Sequence, residues 1–205
     1  MSNSSLVLNQ IQEEVQGHRK SEYPVNPVFL NRWSPRAYSN QKVSDADLLT
    51  VLEAARWAPS SFNDQPWRFI VAKTDEQLAV FHQFLNEFNR SWANKAPVLV
   101  LIASDKTRAN GDANPAHTFD AGTAWGYLAL QAKLLGLATH AIGGFDKAQA
   151  RTLLNVPDEF DLHAVVTIGY QGDASLLPEP LQQREVPNER RPLQEIIFEG
   201  SVPSK

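Results

Sequence analysis

Residues 58–69 read Ala58-Pro59-Ser60-Ser61-Phe62-Asn63-Asp64-Gln65-Pro66-Trp67-Arg68-Phe69 and run directly into Ile70-Val71-Ala72. Two hydroxyls and two carboxamides lie between two prolines, and the prolines restrict the backbone around them. The apolar run 69–72 predicts a buried strand. A rigid polar loop at the end of a strand suits a ligand rich in hydrogen-bonding atoms. Asn and Gln each offer a donor and an acceptor, which matches an edge of alternating donors and acceptors such as the pyrimidine side of a flavin. An ordinary Asx-type turn with caps is the other reading of the same residues.

Outward from this loop, the pattern alternates helices and short strands. Upstream, Ser44 is placed to cap a helix running to about Trp57, with Asp47 at the capping-box distance, and Pro59 ends it. Residues 4–17 read as a short amphipathic helix stopped by Gly17, and 18–31 as a polar connector. Downstream, a helix is predicted over 75–90. Val98–Ala103 is a near-continuous apolar run, the pattern of a central strand covered on both faces. Residues 104–117 read as a surface loop. A helix at 118–135, apolar most of the way round and stopped by Gly136, predicts burial and a subunit interface. Residues 139–142 read as a short strand ending at Gly143-Gly144, 146–154 as a helix and 164–168 as a strand. Residues 171–192 hold Pro178, Pro180, Pro187 and Pro192 and read as an extended excursion, with 193–198 as a further strand. No repeat or internal boundary is visible, so 1–205 reads as one domain, with 1–28 as helix and connector and 171–205 as an extended arm.

Composition bounds the function. The 205 residues are enough for one substantial core. The net charge of −4 argues against nucleic acid as a partner. Without cysteine there are no disulfides, thiol nucleophiles or cysteine metal sites, and a reducing cytoplasm fits. Met1–Asn9 has no basic segment followed by an apolar block, and no run is long enough for a membrane helix, so a soluble protein is expected. The five histidines show no zinc-site spacing, and no Gly-rich nucleotide loop or nucleophile elbow is present, so no metal is expected.

Two basic clusters stand out. Arg32-Trp33-Ser34-Pro35-Arg36 sets two arginines around a serine, and Arg190-Arg191-Pro192 lies far downstream. Guanidinium forks bind phosphate bidentately, so both clusters around one anion would form a phosphate clamp; taken singly, each also reads as a solvated basic turn. Gly143 and Gly144 would let the backbone approach a flat ring closely, or would simply make a strand-to-helix turn.

In their order these pieces resemble the nitroreductase family of flavin mononucleotide enzymes. The carriers are Arg32–Arg36, Ala58–Trp67, Asp120-Ala121-Gly122-Thr123-Ala124 with Leu134–Leu137, Ala141–Phe145, and Arg190–Leu193, and the likeness runs from Phe29 to Gly200. The resemblance implies an α+β fold, a mixed sheet flanked by helices, and an intertwined homodimer whose C-terminal extension crosses to the partner. It implies bound FMN, with NAD(P)H as co-substrate, hydride passing through flavin N5, and nitroaromatic, quinone or enone acceptors reduced in a ping-pong cycle. No protein side chain is implied as a catalytic acid or base.

Carried over, Arg32 and Arg190 would hold the phosphate with Arg191 as helper. Ser34 would contact the ribityl or phosphate region, and Arg36 the N1–O2 side. Trp33, also in the binding set, replaces the family's common second arginine. Pro59, Ser60, Ser61 and Asn63 would reach the flavin from the other subunit, with Gln65 bracing their loop. Gly143 and Gly144 would pass the N5 edge, Gly143 standing where some members carry glutamate. The loop at 104–117 is short for the family. A flavin-binding or flavin-processing protein of the same fold, and a non-enzymatic dimeric binding module, are the competing readings.

Overall fold

The structure, a computed structural model, describes residues 9–202. Four strands form one sheet: β1 (Trp67–Ala72), β2 (Val98–Asp105), β3 (Ala138–Ile142) and β4 (Phe160–Gly169), in the order β1-β2-β4-β3. All three pairings are antiparallel, which corrects the mixed sheet implied by the resemblance, as far as one chain is concerned. The helices are α1 (Glu13–Gln16), α2 (Pro27–Asn31), α3 (Asp45–Arg56), α4 (Asp75–Phe84), α5 (Glu87–Ala93), α6 (His117–Leu134), α7 (Lys147–Leu153) and α8 (Glu179–Gln182).

The central strand behaves as its sequence dictates. Alternate side chains of a strand point to opposite faces. Leu99, Leu101 and Ala103 face a core built with Phe81, Phe84, Trp92 and Ala150. Val98, Val100 and Ile102 face a second core with α3 and α6 through Leu48, Val51, Ala124 and Leu128. A bulge against β4 falls between Ile102 and Ala103 and takes His163 out of the register. Bulges re-aim a side chain, and here His163 turns onto Ser104: Ser104 Oγ lies 2.6 Å from His163 Nε2 and 2.7 Å from His117 Nδ1.

Ser44 caps α3 as expected, its Oγ accepting from the Asp47 amide at 3.0 Å while donating to the Asp47 carboxylate at 2.7 Å. The expected helix 75–90 is two. Leu85 is extended, buried and bridged to Phe145, and Asn86 caps α5 by accepting from Asn89 N at 2.8 Å. Burying Leu85 in the core outweighs continuing the helical hydrogen bonds. The connector 18–31 hides α2, capped by Asn26 with Pro27 at its first position. Of the helix expected at 4–17, residues 4–8 lie outside the described part, and within 9–17 the single turn α1 forms. Residues 193–198 form no strand: Leu193–Glu195 is a 3-10 turn, and Ile196, Ile197 and Phe198 stand exposed. Among the described residues no helix is long and apolar enough to cross a membrane.

Candidate functional site

Arg32 sits at the C-terminal cap of α2. That helix is held by fully buried Asn31, whose Nδ2 donates to Gln10 O at 2.9 Å and whose Oδ1 accepts from Gln12 N at 2.8 Å. The Arg32 Nη1 donates to Ser34 Oγ at 3.3 Å. Burial of Arg32, and then the charge of Arg190 from the far end of the chain, lower the proton affinity of Arg32. Arg19 joins them: burial first, then Arg190 and Arg32, hold its pKa down to about 10. Among the described residues neither Arg32 nor Arg190 forms an ion pair. Three guanidiniums without a paired carboxylate leave a concentrated positive field, which an anion relieves.

Beyond Ser34 the chain runs along β3, the edge strand. His140 donates from Nδ1 to Pro35 O at 3.2 Å. Burial, and then Arg36, hold the His140 pKa down to about 4, so the ring is neutral near pH 7. The Arg36 guanidinium lies 5.8 Å over Trp92, whose ring is 4.7 Å from His140. Glu185 Oε1 accepts from the backbone amides of Arg36 at 2.6 Å and Ala37 at 2.8 Å. Arg36 Nε is buried without an acceptor, and such a donor has a cost that a ligand acceptor would remove.

Gly143 lies about 10 Å further along the same edge, three residues beyond His140. A side chain at Gly143 would meet nothing within 4 Å, so its backbone is open to approach. A Cβ at Gly144 would fall 2.7 Å from Asn86 Nδ2 and 2.9 Å from Asn89 Nδ2. Asn89 Nδ2 donates to Gly144 O at 2.9 Å, which fixes the turn after β3.

The loop 59–66 lies elsewhere. Phe62, Asn63 and Gln65 all have positive φ, at 52°, 59° and 47°. Each such residue costs of order 1 kcal/mol and persists only where contacts impose it. Asp120, itself buried, accepts from Ser61 N at 3.1 Å. Ser60 Oγ accepts from Gln65 N at 3.1 Å, and Gln65 Nε2 donates to Asn63 O at 3.0 Å, the bracing role expected for Gln65. Arg108 pairs with Asp64 at 3.1 Å and covers the exposed Phe62 ring at 4.6 Å. Asp120 lies near the start of α6, while Lys133, close enough to Arg32 to feel its charge, lies near the end. Along the helix that separation is about 20 Å. One chain therefore brings Arg32, Ser34, Arg36, Gly143, Gly144 and Arg190 to one edge and keeps Pro59, Ser60, Ser61 and Asn63 away from them.

The profile of the nitroreductase family matches residues 30–89 and 76–170. The chain belongs to the nitroreductase family. An Archaeoglobus fulgidus family protein named NADH dehydrogenase/NAD(P)H nitroreductase is 30% identical over 152 residues, 71% of this chain and 84% of the relative. A Thermus thermophilus NADH dehydrogenase is 26% identical, over 82% of this chain and 92% of the relative. A solved structure titled as an oxidoreductase containing FMN superposes with a TM-score of 0.87 at 45% identity, covering 91% of this chain and 97% of that one.

Within this nitroreductase-family chain, Trp33 sits differently from the other residues of its cluster. Its indole is buried with Val15 and Leu30 and donates from Nε1 to Glu14 at 3.2 Å, so its ring offers a ligand no surface. Arg191 lines an open groove between residues 19–30 and 189–193. Arg19, His140 and Glu185 also stand at this edge without belonging to any motif of the sequence. None carries a local signal: each matters through partners remote in sequence. Among the described residues no group of three or more His, Asp or Glu could hold a metal.

Proposed function

We propose that this chain is an FMN-dependent oxidoreductase that works as a homodimer, with the flavin laid along the β3 edge of one protomer and covered by the 59–63 loop of the other. The observation that carries the reading is that Arg19 joins Arg32 O to Asn188 O, the carbonyl that Arg190 Nη1 also reaches at 3.4 Å, with no carboxylate paired to Arg32 or Arg190 among the described residues. The residues fit the cofactor. Arg32, Arg190 and Ser34 would hold the phosphate, with Arg191 alongside. The Arg36 Nε, buried without an acceptor, would serve the N1–O2 side of the ring. The open backbone of Gly143, with Gly144 behind it, would lie against the N5 edge.

FMN held there would supply the redox chemistry, hydride transfer from NAD(P)H to a nitroaromatic, quinone or enone acceptor in a ping-pong cycle. The chain's own residues bind and orient. Arg36 would place a fixed positive charge beside the N1–O2 side of the bound ring, already oriented by the Trp92 face beneath it. Neutral His140 packs against the Trp92 ring that lies under Arg36 and adds no competing charge. The strained 59–63 loop presents the Ser60 and Ser61 hydroxyls and the Asn63 carboxamide in one arrangement. Exposed Leu49, Trp57, Phe119 and Tyr127 on α3, its C-cap and α6 support a partner surface there, and exposed Ile196, Ile197, Phe198 and Val202 support an arm that reaches the partner. The absence of cysteine accords with a cytoplasmic setting.

The test is direct. Purified protein, loaded with FMN if needed, is titrated anaerobically with NADH and with NADPH while the flavin absorbance is followed, and an acceptor panel comes next. Bleaching by nicotinamide and recovery with acceptor is the expected result. Protein that stays colourless after incubation with FMN refutes the proposal. A flavin that binds but does not turn over favours the flavin-processing alternative.

A further inference from the structure

Arg32 and Arg190 come from opposite ends of the chain, and nothing local to either sets their spacing. Arg32 ends a helix of one and a half turns, and Arg190 sits in a stretch without helix or strand. Two guanidiniums repel each other, so holding them close needs a brace. Arg19 is placed to be that brace. Its Nη1 donates to Leu30 O at 2.7 Å and to Arg32 O at 2.8 Å, and its Nε donates to Asn188 O at 2.9 Å. One rigid fork thus holds the end of α2 on one side and the Arg190 segment on the other. A lysine, with a point charge on a flexible stem, does not reproduce a fork across carbonyls of two segments. The α1–α2 region that carries Arg19 is itself anchored to α2 through Asn31. Residue 19 also precedes the stretch matched by the family profile, which starts at 30.

We infer that Arg19 is a positioning residue of the phosphate clamp, setting the spacing of Arg32 and Arg190 and with it the preference for a phosphorylated over an unphosphorylated flavin. The inference rests on the reading that Arg32 and Arg190 hold a flavin phosphate. Arg19 directs its donors at backbone carbonyls, so it acts through the other two arginines.

The experiment uses FMN and riboflavin, which differ only in the phosphate, titrated into the full-length protein stripped of flavin, wild type and Arg19→Met in parallel. Wild type should prefer FMN by roughly a hundredfold, the scale of charge-assisted contacts to a phosphate. In Arg19→Met that preference should shrink by about tenfold, and in Arg19→Lys, which keeps the charge but loses the fork, it should shrink nearly as much, with riboflavin affinity nearly unchanged in both; full preference in Arg19→Lys overturns the positioning role. A general loss of structure would weaken both flavins together and leave the preference intact, and that outcome overturns the inference. A wild type that binds riboflavin as tightly as FMN overturns the phosphate reading itself. If Arg19→Met does not fold, hydrogen exchange on the wild type decides. FMN should raise amide protection over residues 13–32 and riboflavin should not, because coupling between clamp and brace is reciprocal. Equal protection by both flavins refutes the brace.

Discussion

His140 offers a sharp quantitative test of how the β3 edge is built. It is buried beside Arg36, with Arg32 also near, and its pKa is held down from 6.5 to about 4. An unfolded chain protonates this imidazole near 6.5. Between about pH 6.5 and 4 the unfolded state therefore binds the extra proton and the folded state does not, so stability falls as the pH falls. The contribution is complete above 6.5 and is lost by about pH 4. The displacement corresponds to about 3 kcal/mol, on the order of a 6–12 °C change in Tm for a chain of this size. The assay is urea denaturation of flavin-stripped wild type and His140→Asn at a series of pH values and one protein concentration. Asn keeps a donor for Pro35 O but cannot titrate. The wild-type curve should drop relative to the variant by about 3 kcal/mol across that window. Bound FMN, by bringing the phosphate charge to Arg32, should raise the folded-state His140 pKa and make the wild-type slope shallower. Parallel curves for the two proteins would refute the burial-and-charge account of His140.

Other expectations address separate parts of the site. Arg36→Ala should lower the flavin potential and slow flavin reduction by about 100-fold, while the urea midpoint moves little; an unchanged potential in the flavin-loaded variant rejects the electrostatic role. Gly143→Ala has room for its methyl and should keep its Tm while weakening FMN binding, whereas Gly144→Ala meets the Asn86 and Asn89 amides and should lose about 1–3 kcal/mol of stability. Calorimetry with FMN titration separates the two, and equal stability loss would contradict the assignment of open and closed glycines. Asp120→Ala removes the carboxylate that accepts from Ser61 N and should release the strained loop, raising proteolysis within 59–66 and costing about 1.5–3 kcal/mol. Unchanged cleavage there would show that the loop is held by other contacts.

Much of the fold was legible because its causes are local. The Val98–Ala103 run, the Ser44 cap, the stop at Gly136 and the proline-bracketed loop depend on periodicity, capping and dihedral limits within a few residues, and the structure carries each as read. The Asn26–Pro27 start of α2 was equally local but stood in a stretch too polar and short to suggest burial. The break at Leu85 could not be read, because it depends on a bridge to Phe145 and on a core assembled from distant segments. The site divides the same way. The residue types of the phosphate cluster and the loop chemistry are written in the sequence. That Arg19, Arg32 and Arg190 meet, that Glu185 holds the Arg36 and Ala37 amides, and that His140 is stripped of its proton depend on tertiary contacts between remote segments. Short-range rules specify elements and chemistry; convergence, desolvation and mutual charge exist only once the chain has folded.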